Sequence, residues 1–136
     1  MLHNLTKELI IEINKGIIHE WLEKNPAASE AINVNQDELD KVLQMVDEQE
    51  NFIMKTSYLL GGISWAQPFS GGNKRTAVVC GDTLLRMNGL KLVIDNETDE
   101  EYLRKLLFEI QGERSELNGV TMAKIILYVS KRIKKI

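Results

Sequence analysis

The sequence predicts an all-α domain of about six helices, and three observations carry that prediction. Only two prolines, Pro26 and Pro68, occur in 136 residues, so little interrupts helical geometry. Apolar residues recur at steps of three and four along most of the chain, the period of one helix face. Asparagine or threonine followed three positions later by glutamate, the sign of a capped helix start, appears twice at the head of such a stretch.

Thr6 is the natural cap of a first helix running to about Glu23, with Ile10, Ile13, Ile17 and Trp21 on one face. His19 falls off that face and reads as solvent-exposed. Asn25-Pro26 closes the helix, because proline disfavours helical geometry in the residue before it. The weakly periodic stretch from Ala27 to Asn35 reads as a loop or a short extended segment. Asn35 and Glu38 then form a capping box for a second helix that turns Leu39, Val42, Leu43 and Val46 inward. A third helix spans about Phe52 to Ala66, with Phe52, Tyr58, Leu59 and Ile63 as core. A loop by composition, Gln67-Pro68-Phe69-Ser70-Gly71-Gly72, feeds a fourth helix that starts near Asn73 and stops at Asn88-Gly89. Lys91 to Ile94 favours an extended conformation. Thr98 with Glu101 predicts the start of a fifth helix, stopped by Gly112. A last helix covers roughly Asn118 to Lys134, with Met122, Ile125, Ile126 and Val129 on one side. No repeat or linker divides the chain, so residues 1–136 read as a single domain.

Composition narrows the function. The 17 basic residues against 20 acidic ones give a net charge of −3, which argues against a dedicated nucleic-acid binder. The basic residues at the end of the chain, Lys131, Arg132, Lys134 and Lys135, read as the last turn of a helix complementing its dipole. One cysteine, Cys80, excludes an internal disulfide and any multi-cysteine metal site, and its apolar surroundings predict a small buried residue. No apolar run approaches the ~20 residues that span a bilayer, and the opening Met1-Leu2-His3-Asn4 lacks the pattern of a signal peptide. A cytoplasmic, reduced protein without membrane partners is expected. The acidic run Asp95, Glu97, Asp99, Glu100 and Glu101 reads as a solvated helix start rather than a metal site.

The stretch from Gln67 to Ala77 is the one that suggests chemistry. Adjacent glycines let backbone N–H groups converge, and the helix that follows adds unpaired donors and a positive dipole end. Lys74 brings a point charge and Arg75 a planar fork suited to phosphate oxygens. This is the equipment of an anion site, and by composition alone it is equally a glycine turn before a helix whose basic residues are simply solvated. It is not a Walker A loop, which needs Gly-Lys-Ser/Thr with another glycine five positions earlier.

The same stretch resembles the signature of the Fic/Doc superfamily, His-Pro-Phe-x-Asp/Glu-Gly-Asn-Gly/Lys-Arg. The variant continuing Asn-Lys-Arg-Thr-Ala is similar to the Doc branch, the toxins of death-on-curing modules. Leu5-Thr6-Lys7-Glu8 is similar to the Doc opening, Asn35 to Val46 resembles the segment after the family's target-binding flap, and Leu84 to Gly89 resembles the end of its motif helix. The resemblance implies a Fic-fold helical domain with a small extended flap and a motif loop, residues 67–75, leading into the central helix. It implies a family activity: transfer of a phosphoryl or AMP group from a nucleotide such as ATP to a protein hydroxyl, with a translation factor as target in Doc-like members. By the same resemblance Gly72, Asn73, Lys74 and Arg75 match the phosphate-contacting positions, and Pro68 and Phe69 match those that shape the loop.

Two positions depart from the pattern. Gln67 stands where the family has the histidine that acts as base, and an amide takes no proton near neutral pH. Gly71 stands where the family has the acidic residue that holds Mg²⁺, and it brings no side-chain oxygen. Ser70 has no neighbouring histidine to activate it, and Asp82 lies too far along the helix to replace the missing carboxylate. The inhibitory pattern Ser/Thr-x-x-x-Glu-Gly/Asn of some Fic proteins is absent: Ser115 is followed four places on by Gly119. The expectation is a catalytically impaired Doc-like protein that keeps a phosphate or nucleotide loop at Gly71, Gly72, Asn73, Lys74 and Arg75 and holds Mg²⁺ poorly. The alternatives are an interaction module for an antitoxin or a catalytic paralogue, and an active transferase that uses compensating residues, His3 and His19 being the only histidines.

Overall fold

In a computed structural model, residues 4–29, 32–113, 117 and 119–136 are described. His3, Ser115 and the predicted helix start at Asn118 lie outside the described residues. Six helices follow in order: α1 (Lys7–Lys24), α2 (Gln36–Asp47), α3 (Phe52–Ala66), α4 (Asn73–Arg86), α5 (Glu97–Gln111) and α6 (Val120–Ser130). Two short strands, β1 (Leu90–Leu92) between α4 and α5 and β2 (Ile133–Lys135) after α6, pair antiparallel with Leu92 opposite Ile133. The fold is all-α, as the periodicity requires.

The helix starts follow the capping chemistry. Thr6 accepts from the Leu9 amide at 3.1 Å, and Asn35 accepts from the Glu38 amide at 3.2 Å. Asn51 does the same for α3 through the Met54 amide. The start of α5 differs from the expectation. Asn96, not Thr98, is the cap, accepting from the Asp99 amide at 2.9 Å. Both residues have the oxygen a cap needs, and the one two positions earlier wins by gaining half a turn of helix.

The chain's end also departs from the expectation. The last helix stops at Ser130, and the basic residues sit beyond it. Arg132 reaches back to Asp99 at 2.9 Å and lies over the Tyr128 ring at 3.7 Å, while Lys134 and Lys135 belong to β2. Short strands with two lysines carry little sequence signal; the pairing with β1 is what makes them strands.

The core is organised around α3, which packs against α2, α4, α5 and α6. Leu59, Leu60 and Ile63 are fully buried there, with Leu39 and Val42 of α2, Leu84 of α4, Leu107 and Ile110 of α5, and Ile125 of α6 around them. Trp21 was placed on the inward face of α1 by its spacing, yet it is 41 % exposed. The rest of that face holds: Ile10 and Ile17 are buried and Ile13 packs partly buried against the core, with Asn14 and Ile18 completing the buried stripe.

Cys80 on α4 is fully buried, and burial pushes its thiol up to about 12 from an ordinary 9.0. The native state therefore holds the proton through a range in which the unfolded thiol loses it, and stability falls as pH rises from about 9 to about 12. Alkylation by iodoacetamide at pH 8 is expected to track global unfolding. Rapid labelling of the folded chain would show instead that the α3–α4 seam opens locally.

Candidate functional site

The loop between α3 and α4 is fixed on three sides by hydrogen bonds. Gln67 ends α3 in the left-handed conformation (φ 47°, ψ 59°), and its amide donates to the Ile63 carbonyl at 3.0 Å. It is the only non-glycine residue with positive φ among the described residues. On the second side, the stretch before α2 runs alongside the loop. Val34 bridges Phe69, the Asn35 amide donates to the Pro68 carbonyl at 2.6 Å, and the Ser70 amide donates to the Asn33 carbonyl at 3.0 Å. Pro68 and Phe69 are buried, anchoring the loop to the core.

On the third side stands α1. Asn14, 2 % exposed, donates from Nδ2 to the Gly71 carbonyl at 2.9 Å and to the Thr76 hydroxyl at 3.1 Å. Gly72 then starts α4 with φ 70°, and a Cβ there would meet Ile18 at 3.3 Å and Ile17 at 3.4 Å. Both its backbone angle and its tight seat against α1 call for glycine.

Helix α4 has no side-chain cap. Its first backbone bond is from the Thr76 amide to the Gly72 carbonyl at 2.9 Å, so the amides of Asn73, Lys74 and Arg75 have no partner within the helix. These donors and the helix dipole form the positive start that an anion site needs.

The side chains expected at that site go three ways. Asn73 turns back on the loop: its Oδ1 accepts from the Phe69 amide at 3.0 Å and its Nδ2 donates to the Phe69 carbonyl at 2.9 Å. Lys74 leaves the loop for α5, where it donates to Gln111 and lies 4.3 Å from the centre of the Phe108 ring. Partial burial there lowers its pKa. Arg75 points to α1, 3.4 Å from Glu20. The Glu20 carboxyl is held below its usual range by a hydrogen bond from Lys24 and by the charge of Arg75.

Two cavities flank the start of α4. The smaller, about 240 Å³, lies against α1 and is lined by Ile17, Ile18, Trp21, Gly71, Gly72 and Arg75. The larger, about 750 Å³, runs between α4 and α5, with Lys74 and Arg75 at one end and Val78, Leu103, Leu107 and Phe108 along its walls. Arg75 borders both.

The remaining candidates sit elsewhere. His19 is exposed on α1 and lines neither cavity. Asp82 staples β1 to α4, accepting from the Leu92 amide at 2.9 Å and from Arg86 at 2.6 Å. Asp99 is occupied by Arg132. Among the described residues no group of three His, Cys, Asp or Glu side chains could hold a metal ion. No described helix is long and apolar enough to cross a membrane.

Sequence reasoning missed Asn14, Glu20, Phe108 and Gln111. Asn14 had a signal: a polar residue four positions after Ile10 and three before Ile17, inside an apolar stripe. The other three are surface residues of distant helices, visible only once the chain has folded. The sequence model of the Fic/DOC family matches residues 4–85, from the residue before Leu5 to the last turns of α4. No curated protein matches the chain.

Proposed function

The chain belongs to the Fic/DOC family, and from that premise we propose that it is a Doc-like member that binds a nucleotide by its phosphates without catalysing the family's transfer reaction. The observation that carries this reading is the uncapped, glycine-started N-terminus of α4 with Arg75 beside it: Gly71, Gly72 and Arg75 line the cavity of about 240 Å³ against α1, and Arg75 also borders the cavity of about 750 Å³ between α4 and α5. The larger of the two lies in the range that small-molecule sites occupy. Its apolar residues Val78, Leu103, Leu107 and Phe108 suit a base, Glu100 and Arg104 add charged groups to the same wall, and Lys74 and Arg75 suit phosphates.

The catalytic half of the site has no such support. General-base catalysis contributes about 10²–10⁴-fold, and Gln67 cannot take up the proton of an attacking hydroxyl. Nor do the residues present fit Mg²⁺, which favours carboxylate and water oxygens. Position 71 is glycine, and Glu20, the carboxylate that touches Arg75, is already shared with Lys24. What remains for the chain is to hold the anion on backbone amides and Arg75, with Lys74 set back against Phe108.

Arg75→Ala tests the reading. Arg75 is exposed and its ion pair with Glu20 is a surface pair, so the fold should survive. A charge-assisted hydrogen bond to phosphate is worth about 10- to 100-fold in affinity, and loss of ATP affinity in that range is the expected result. A domain that serves only to bind an antitoxin or a catalytic paralogue would show no nucleotide affinity in either form, and Arg75→Ala would leave its partner binding unchanged.

A further inference from the structure

A trans peptide unit points its carbonyl and its N–H in opposite directions. Fixing one therefore aims the other. The Gly71 carbonyl is drawn to α1 by the buried Asn14 amide at 2.9 Å, so the N–H of the same peptide unit, that of Gly72, is turned away from α1. It is the amide immediately before those of Asn73, Lys74 and Arg75, which have no partner within α4. The Gly72 amide has no hydrogen-bond partner among the described residues.

We infer that Asn14 is a positioning residue for the anion site: it sets the orientation of the Gly71–Gly72 peptide and with it the direction of the Gly72 N–H, the donor that the family resemblance matches to a phosphate contact. The inference rests on the anion-binding reading of the loop and adds to it a residue outside the motif.

Three features support the assignment. Asn14 is 2 % exposed in a stripe otherwise made of isoleucine, and a buried amide costs stability unless its hydrogen bonds are made. Its Nδ2 serves two acceptors, Gly71 and Thr76, and so ties one peptide of the loop to the first turn of α4. Gly72 has no side chain to resist rotation of that peptide, so the orientation depends on what grips the carbonyl. Without Asn14, the Gly71 carbonyl is released to turn toward the helix start, where its partial negative charge would oppose a phosphate.

The test compares Asn14→Leu and Asn14→Ala with Thr76→Val, which removes the other partner of Asn14 and leaves the Gly71 contact. Amide NMR spectra are recorded as each folded variant of the full chain is titrated with ATP and, separately, with inorganic phosphate. In the unsubstituted chain the Gly72 amide is expected to shift together with those of Asn73 to Arg75. Both Asn14 variants should lose the Gly72 response and about 10- to 100-fold in ATP affinity, as for loss of one hydrogen bond to a charged group. Thr76→Val should keep both. If either folded Asn14 variant retains the Gly72 shift and the affinity, or if Thr76→Val loses them equally, the inference is overturned while the anion site stands. If no amide in this stretch responds in the unsubstituted chain, the anion-binding reading falls, and the inference with it.

Discussion

Gln67→His combined with Gly71→Asp is expected to bring transfer of labelled phosphate or AMP from ATP to protein up from background, by about 10²–10⁴-fold for the base alone. The backbone accepts both changes. Position 67 has φ 47°, and histidine is among the residues that enter the left-handed region more readily than most. Gly71, unlike Gly72, does not have positive φ, so a side chain there meets no backbone penalty. The carboxylate would stand next to the amides at the start of α4, placed to share a divalent cation with bound phosphates. Each single variant should gain less than the double, because phosphoryl transfer needs charge neutralisation as well as an aligned nucleophile. A double variant that is folded and binds ATP yet transfers nothing would show that these two positions are not what silences the site.

The second large effect concerns stability. Ile63 is fully buried near the end of α3, and its carbonyl receives the Gln67 amide that starts the loop. Ile63→Ala should cost about 2–5 kcal/mol, a substantial share of the roughly 5–15 kcal/mol that holds a typical domain folded. Phe108→Ala is the contrast: that ring is 58 % exposed, so its loss should change stability little while altering the cavity beside Lys74. Urea denaturation of the two variants separates them. Equal losses would mean that Phe108 is covered in solution, or that α3 is not the centre of the fold.

The helices were legible because their determinants are local. Thr6, Asn35 and the apolar steps through Leu39, Val42 and Val46 specify start, length and face without reference to the rest of the chain. At the start of α5 the Thr98–Glu101 pattern points to Thr98, while Asn96, which has Asp99 rather than glutamate three positions on, is the cap. β1 and β2 were not legible as a pair, since residues 90–92 and 133–135 become strands only by meeting. On α1 the spacing finds Ile10 and Ile17 but not Asn14, a buried amide inside the apolar stripe, and it includes Trp21, which the helix leaves exposed.

The site divides in the same way. Its backbone was readable: adjacent glycines, a helix start, and Pro68 and Phe69 holding the loop down. The directions of its side chains were not. Asn73, Lys74 and Arg75 are consecutive, and on a helix consecutive residues point about 100° apart. Lys74 therefore reaches α5 while Arg75 reaches α1, and neither destination is near them in sequence.

On the proposed reading, this loop holds phosphates without a metal. Calorimetric titration of the full chain with ATP, once with Mg²⁺ and once with EDTA, tests it most directly. ATP should bind in EDTA at least as tightly as in Mg²⁺, because the donors at the start of α4 and Arg75 act on the phosphates themselves. Binding that appears only with Mg²⁺, or no binding under either condition, would contradict the account.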